Sequence, residues 1–206
     1  GYISGYGHSG RQLISQPLRF NFWRPPTDND RRGFRIQENL SYWKDAAGLT
    51  RMTGLSLSED RSNAEIVAHY ELPGSGGTLK LIYQIYPNGW IRVENTINPD
   101  QDLPVLPRYG MQMKIPDRYS SVSYLGRGPH ENYIDHNESA FEGLNSSTVE
   151  DLGEPYTYPQ ENANRTGVRG MAFLDSENSG LVITADSLLS MSARPHSQEN
   201  IEKAAH

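Results

Sequence analysis

A chain of 206 residues is enough for one large β domain or two small ones, and 35% hydrophobic and 21% charged residues, with Gly 19 and Pro 13, favour a folded, turn-rich chain over disorder. A net charge of -6, from Lys+Arg 19 against Asp+Glu 25 without a basic cluster, argues against a nucleic-acid partner. No apolar run approaches the roughly 20 residues of a membrane span, no secretory pattern opens the chain, and the lack of cysteine excludes disulfides and thiolate metal sites while leaving the compartment open.

Residues 1–10 are rich in glycine and tyrosine and read as loop. Residues 11–20, with an apolar centre at Leu13 and Ile14, read as one strand. Asn21-Phe22-Trp23-Arg24-Pro25-Pro26-Thr27-Asp28-Asn29-Asp30 is the densest stretch in the chain. Two prolines fix their own backbones and push Arg24 toward extended geometry, so the segment is a stiff arm. Asp28, Asn29 and Asp30 give it a polar tip suited to a turn. Arg31-Arg32-Gly33-Phe34-Arg35 follows as a basic loop with a glycine hinge. Leu40, Trp43 and Ala47 then share one helical face, with Gly48 as a stop, and Trp43 is expected to anchor the core.

From Ala64 the apolar period changes to two. Ile66, Ala68, Tyr70 and Leu72 share a face; Leu79, Leu81, Tyr83 and Ile85 share the next; Ile91, Val93, Asn95 and Ile97 the third. The turn signals between them, residues 73–77 and Asn88-Gly89, make this an antiparallel meander. Met111, Met113 and Ile115 alternate in another strand. So do Val122 and Tyr124, Met171 and Phe173, Leu181, Ile183 and Ala185, and finally Leu189, Met191 and Ala193. The tract 137–153 is the most loop-like. Many strands with one helix near each end predict an all-β antiparallel sandwich, taken as a single domain over 1–206.

Four stretches in register resemble the C-terminal domain of large bacterial β-galactosidases of glycoside hydrolase family 2 type. They are the arm at 21–30, Tyr124-Leu125-Gly126-Arg127-Gly128-Pro129-His130-Glu131-Asn132-Tyr133, Tyr158-Pro159-Gln160-Glu161-Asn162 with Arg165 and Arg169, and Arg194-Pro195-His196-Ser197-Gln198-Glu199-Asn200-Ile201. The resemblance covers about Leu13 to His206 and sharpens the fold to the supersandwich of galactose mutarotases, with one or two short helices. It implies a fragment of an enzyme that hydrolyses terminal non-reducing β-D-galactose residues. The chain is then expected to begin inside the domain and to stop before the tryptophan-bearing segment that meets substrate; Trp23, Trp43 and Trp90 occupy other places.

A glycosidase needs two carboxyls astride the scissile bond. Asp28, Asp30, Glu131 and Glu161 are the candidates by residue type, yet the resemblance puts both catalytic glutamates in a separate upstream barrel. No catalytic residue is therefore expected here, and this chain alone is expected to be inactive. The resemblance makes Asp28, Asn29, Asp30 and Gly33 the candidates for the edge of the substrate site. The competing reading buries Arg24, Asp28 and Asp30 in a polar network that pins the arm. The same structural reading is expected for Glu131 and Asn132 in the turn at 126–133, and for Glu161, Asn162, Arg165 and Arg169 as a lattice between loops.

His8, His69, His130, His136, His196 and His206 never fall at a metal-ligand spacing, and Asp28-Asn29-Asp30 lacks the rest of a calcium loop. The resemblance implies a sodium ion on the backbone carbonyls of Tyr158, Pro159, Ile201 and Ala204, and Mg and Na in the complete enzyme. Its implied partners are the other domains of the same chain, a galactoside and further copies in a homo-oligomer. Two other readings stay open: a free-standing carbohydrate-binding module, and an aldose mutarotase using His130 and Glu131 as acid and base.

Overall fold

Period-two alternation of apolar residues recurs along this chain. The computed structural model, described over residues 1–204, is accordingly built from antiparallel strands joined by short loops and a few short helices. Its contacts divide it into two compact units, Gly1–Trp23 with Arg35–Lys114, and Arg24–Phe34 with Ile115–His206.

The first unit runs β1 (Gly7–His8), β2 (Arg11–Gln12), β3 (Gln16–Asn21), α1 (Ile36–Asn39), α2 (Ser41–Leu49), β4 (Arg51–Glu59), β5 (Ala64–Glu71), β6 (Gly77–Ile85), β7 (Ile91–Pro99) and β8 (Gly110–Lys114). β4-β5-β6-β7 form the meander in sequence order, β3 pairs with β8, and β1 with β2. Because side chains alternate across a strand, Ala68, Tyr70, Leu79, Leu81 and Tyr83 all face one core. Against them pack Phe20 and Phe22 from the β3 end, and Trp43 and Ala46 from α2. Phe20 stacks on Phe22 at 5.9 Å between ring centroids and meets Tyr70 edge-on at 5.3 Å. Trp43 meets Phe22 edge-on at 5.6 Å, and its indole N–H donates to the Pro104 carbonyl at 2.8 Å, so it anchors the core as expected. Burial pushes the Tyr83 hydroxyl up to about 12.

The sequence reading needs four corrections in this unit. The strand expected over 11–20 is broken: β2 ends at Gln12, Leu13 and Ile14 are buried outside any strand, and β3 starts at Gln16. The helix expected from Leu40, Trp43 and Ala47 is α2, and an additional short α1 precedes it, the two meeting at Leu40, whose φ of -122 and ψ of 16 interrupt the helical backbone. Gly48 does not stop α2, which ends where Thr50 turns extended; Ala46 rather than Ala47 is the alanine fully buried. β4 was missed altogether. It is an edge strand with a bulge between Met52 and Gly54, and Leu55 and Leu57 remain exposed, so burial imposes no strong pattern on it.

The second unit holds β9 (Ser121–Gly128), β10 (Phe141–Thr148), β11 (Arg165–Leu174), β12 (Gly180–Met191) and α3 (Gln198–Lys203), with the five-residue π-turn Asp30–Phe34. Its sheet is antiparallel in the order β10-β9-β11-β12 and buries Val122, Tyr124, Val168, Met171 and Phe173 on one face. A Cβ at Gly126 would lie 2.9 Å from Val168 Cγ2, and one at Gly128 would collide with the Tyr124 hydroxyl, so close packing demands both glycines. β10 occupies the tract read as loop: its polar sequence is held by backbone pairing to β9 along its whole length. β12 is one strand where two short ones were expected, and its pairing with β11 shifts register between Arg165 and Val168 and again between Val168 and Gly170. The described residues thus contain three short α-helices against the one or two expected.

Candidate functional site

The arm begins with Arg24, whose guanidinium grips Asp30 with both prongs, Nε to Oδ2 at 3.0 Å and Nη2 to Oδ1 at 2.9 Å. Asp30 Oδ2 also accepts the Thr27 N–H at 3.0 Å, while Thr27 Oγ1 accepts the Asp30 N–H at 3.2 Å. Asp30 is buried and its oxygens are committed, which removes it from the surface available to a sugar. Asp28 and Asn29 are exposed, and Asp28 donates its N–H to Gln160 Oε1 at 3.4 Å. Gly33 is exposed as well, with open space where a Cβ would stand and no left-handed φ. The left-handed position falls on Arg35, at φ 49.

The arm is tied to the segment after Thr157. The Glu161 N–H donates to the Pro25 carbonyl at 3.2 Å. Arg31 donates Nη2 to the Pro159 carbonyl at 3.2 Å, and its guanidinium carbon sits 4.0 Å from the centre of the Tyr158 ring. Arg31 Nη1 is buried without a hydrogen-bond partner. Gln160 Nε2 donates to the Tyr158 carbonyl at 3.4 Å, and Asn162 Nδ2 to the Gln160 carbonyl at 3.1 Å.

Behind this segment the turn at 128–133 locks into β11. Asn132 uses its whole amide: Oδ1 accepts from Thr166 N at 2.9 Å and Oγ1 at 2.5 Å, and Nδ2 donates to the carbonyls of Arg127 and His130 at 3.1 and 2.9 Å. Glu131 accepts from the Tyr156 hydroxyl and, at 2.6 Å, from the Ala163 N–H. Burial raises its pKa, those two bonds pull the other way, and Glu154 nearby adds to the rise. Burial also raises the Tyr133 hydroxyl, with Glu131 and Glu161 adding to it. Glu161, fully buried, pairs with Arg194 at 2.6 Å. Arg165 reaches the Tyr124 hydroxyl at 3.1 Å and the Pro129 carbonyl at 3.0 Å, and donates further to the carbonyls of Leu152 and Asn164. Arg169, grouped with this lattice by sequence, is exposed on β11 and stands outside it, since its position alternates away from the buried face.

A family model described as beta galactosidase small chain matches residues 1–206. The chain belongs to the beta galactosidase small chain family. Among curated relatives it is 33% identical to a beta-galactosidase of Actinobacillus pleuropneumoniae over the whole of this chain, and 31% identical to that of Streptococcus thermophilus over 97% of it. It is 28% identical to that of Priestia megaterium, again over the whole chain. The chain spans about a fifth of the length of these relatives, covering 20% of each.

In this small chain the four carboxyls that residue type nominated do not form an acid/base pair. Asp30 is held by Arg24, Glu161 by Arg194 and Glu131 by Tyr156 and Ala163, while Asp28 lies on the surface. His130 and Glu131 also part company. The imidazole is exposed, with Nε2 3.1 Å from Ser139 Oγ, and the carboxylate is turned inward. The described residues contain no group of three His, Cys, Asp or Glu placed to hold a metal, and His206 lies outside the described residues.

The carbonyls implied for sodium divide. Pro159, Ile201 and Ala204 border one cleft of about 470 Å³ and Tyr158 does not. The Pro159 oxygen already accepts from a full positive charge and the Tyr158 oxygen from an amide. The Arg31 charge on the Pro159 oxygen opposes a sodium ion at that atom. Sequence reasoning could not pair Glu131 with Tyr156 and Ala163, or Glu161 with Arg194, because those partners are 25 to 33 residues apart. Doubled arginines before Gly33 were the one signal that pointed to the Arg31 tether.

Proposed function

We propose that this chain is the C-terminal part of a β-galactosidase that cleaves terminal non-reducing β-D-galactose from galactosides. In that enzyme it frames the edge of the substrate site and contributes to contacts between subunits. The observation that carries the reading is the division of labour in the arm. Arg24 and Asp30 are spent on rigidity, while Asp28 and Asn29 are left exposed on that rigid support. Gly33 extends the same edge. Arg24, Glu131, Asn132, Glu161, Asn162 and Arg165 act as scaffold. The bond-breaking carboxylates, and any magnesium, belong to the rest of the enzyme. Other domains of the same chain and further copies in a homo-oligomer are the macromolecular partners.

The test is Asn29→Ala in the complete enzyme. We expect kcat/KM for a β-galactoside to fall several-fold with thermal stability unchanged, because Asn29 is exposed. Unchanged kinetics for Asn29→Ala and for Asp28→Ala would remove the arm from the substrate site.

A further inference from the structure

We propose that Arg31 is a built-in cation. It holds the π-turn Asp30–Phe34 onto Tyr158–Pro159 and makes that spot independent of the sodium ion the family resemblance assigns to it. Three observations converge. The guanidinium donates to the Pro159 carbonyl at 3.2 Å. It lies over the Tyr158 ring at 4.0 Å, where a planar delocalised cation is favoured. Its Nη1 is buried with no acceptor, so this charge is partly stripped of water beside the Pro159 oxygen. A sodium ion bound to the Pro159 oxygen would stand within a few ångströms of that charge. Like charges at such range in a partly buried site oppose each other strongly.

The arrangement also gives the turn a specific fastener. The arm also meets this segment through the Glu161 N–H to the Pro25 carbonyl and the long Asp28 N–H to Gln160, both ahead of the turn. From Arg32 to Phe34 the turn is exposed. Within the turn, Arg31 reaches both Tyr158 and Pro159. The tether joins the exposed, site-facing arm to one wall of the cleft that Pro159 shares with Ile201 and Ala204. The tether rests on the fold alone and survives a failure of the galactosidase reading, while its bearing on sodium rests on the family resemblance.

The experiment is amide hydrogen exchange, read by mass spectrometry on peptides covering 27–35 and 158–164. It uses the full-length protein in sodium, potassium and choline chloride at equal ionic strength. The wild type should exchange identically in the three salts over both peptides. Arg31→Met should speed exchange across the 27–35 peptide at least about tenfold, the size expected when a local tether is lost. It should also gain sodium-specific protection at 158–164. Arg31→Lys, which keeps the charge and loses the planar fork, should exchange faster than wild type and stay indifferent to sodium. Sodium-specific protection of 158–164 in the wild type would overturn the proposal, and that arm needs no variant. So would an Arg31→Met protein that exchanges as slowly as the wild type in all three salts.

Discussion

Arginine partners decide what each acid in this chain can do. Asp30 and Glu161 are fixed by a bidentate Arg24 and by Arg194. Removing Arg194 leaves a fully buried carboxylate without its partner. Arg194→Met should therefore cost about 3–5 kcal/mol in a denaturant titration, and the added change Glu161→Met should recover part of it. Glu131 is the opposite case. Burial raises its pKa above the ordinary 4.5, so the folded protein holds that proton more tightly than the unfolded chain does. The raised value favours folding most below the unfolded pKa, and the advantage is lost as pH rises through the folded one. Glu131→Gln has no such titration. The stability lead of the wild type over the variant should thus be widest near about pH 4 and narrow toward about pH 7. A lead that widens with pH would show that the hydrogen bonds from Tyr156 and Ala163 outweigh burial.

At the level of elements, strands with an apolar face toward the core were legible, and the two almost wholly exposed ones were not. β5, β6 and β7 alternate because one side of each meets the aromatic core. β4 and β10 sit at sheet edges, expose most of their side chains and are specified by backbone pairing with a neighbour. Nothing in Asn145-Ser146-Ser147 announces a strand until β9 is alongside. The turn after the arm holds a similar surprise. Gly33 has an ordinary φ and open space around it, whereas Arg35 carries the left-handed backbone. Arg35→Gly should leave stability unchanged or raise it by up to about 1 kcal/mol, since relief of the left-handed strain exceeds the loss of an exposed ion pair with Glu38. Equilibrium unfolding of the two proteins checks this, and a loss beyond about 0.5 kcal/mol would contradict it.

At the scale of the whole molecule, membership of the small chain family and a length of about a fifth of its relatives define the functional question. The committed state of Asp30, Glu131 and Glu161 leaves no opposed pair of free carboxyls among the residues nominated here. These 206 residues by themselves should accordingly show no turnover of a chromogenic β-galactoside above the blank. Turnover by the isolated chain would place the chemistry inside it.

Sequence by itself determined the all-β class, the meander, the Trp43 anchor and the family. Each of these is written in local period or in contiguous motifs, which a chain carries before it folds. The tertiary structure alone decided the rest: that Asp30 is buried while Asp28 and Asn29 are free, that Glu131 meets Tyr156, and that Arg31 lies on Tyr158 and Pro159. Such pairings join residues far apart in sequence, and only folding brings together charges whose worth depends on the water excluded around them.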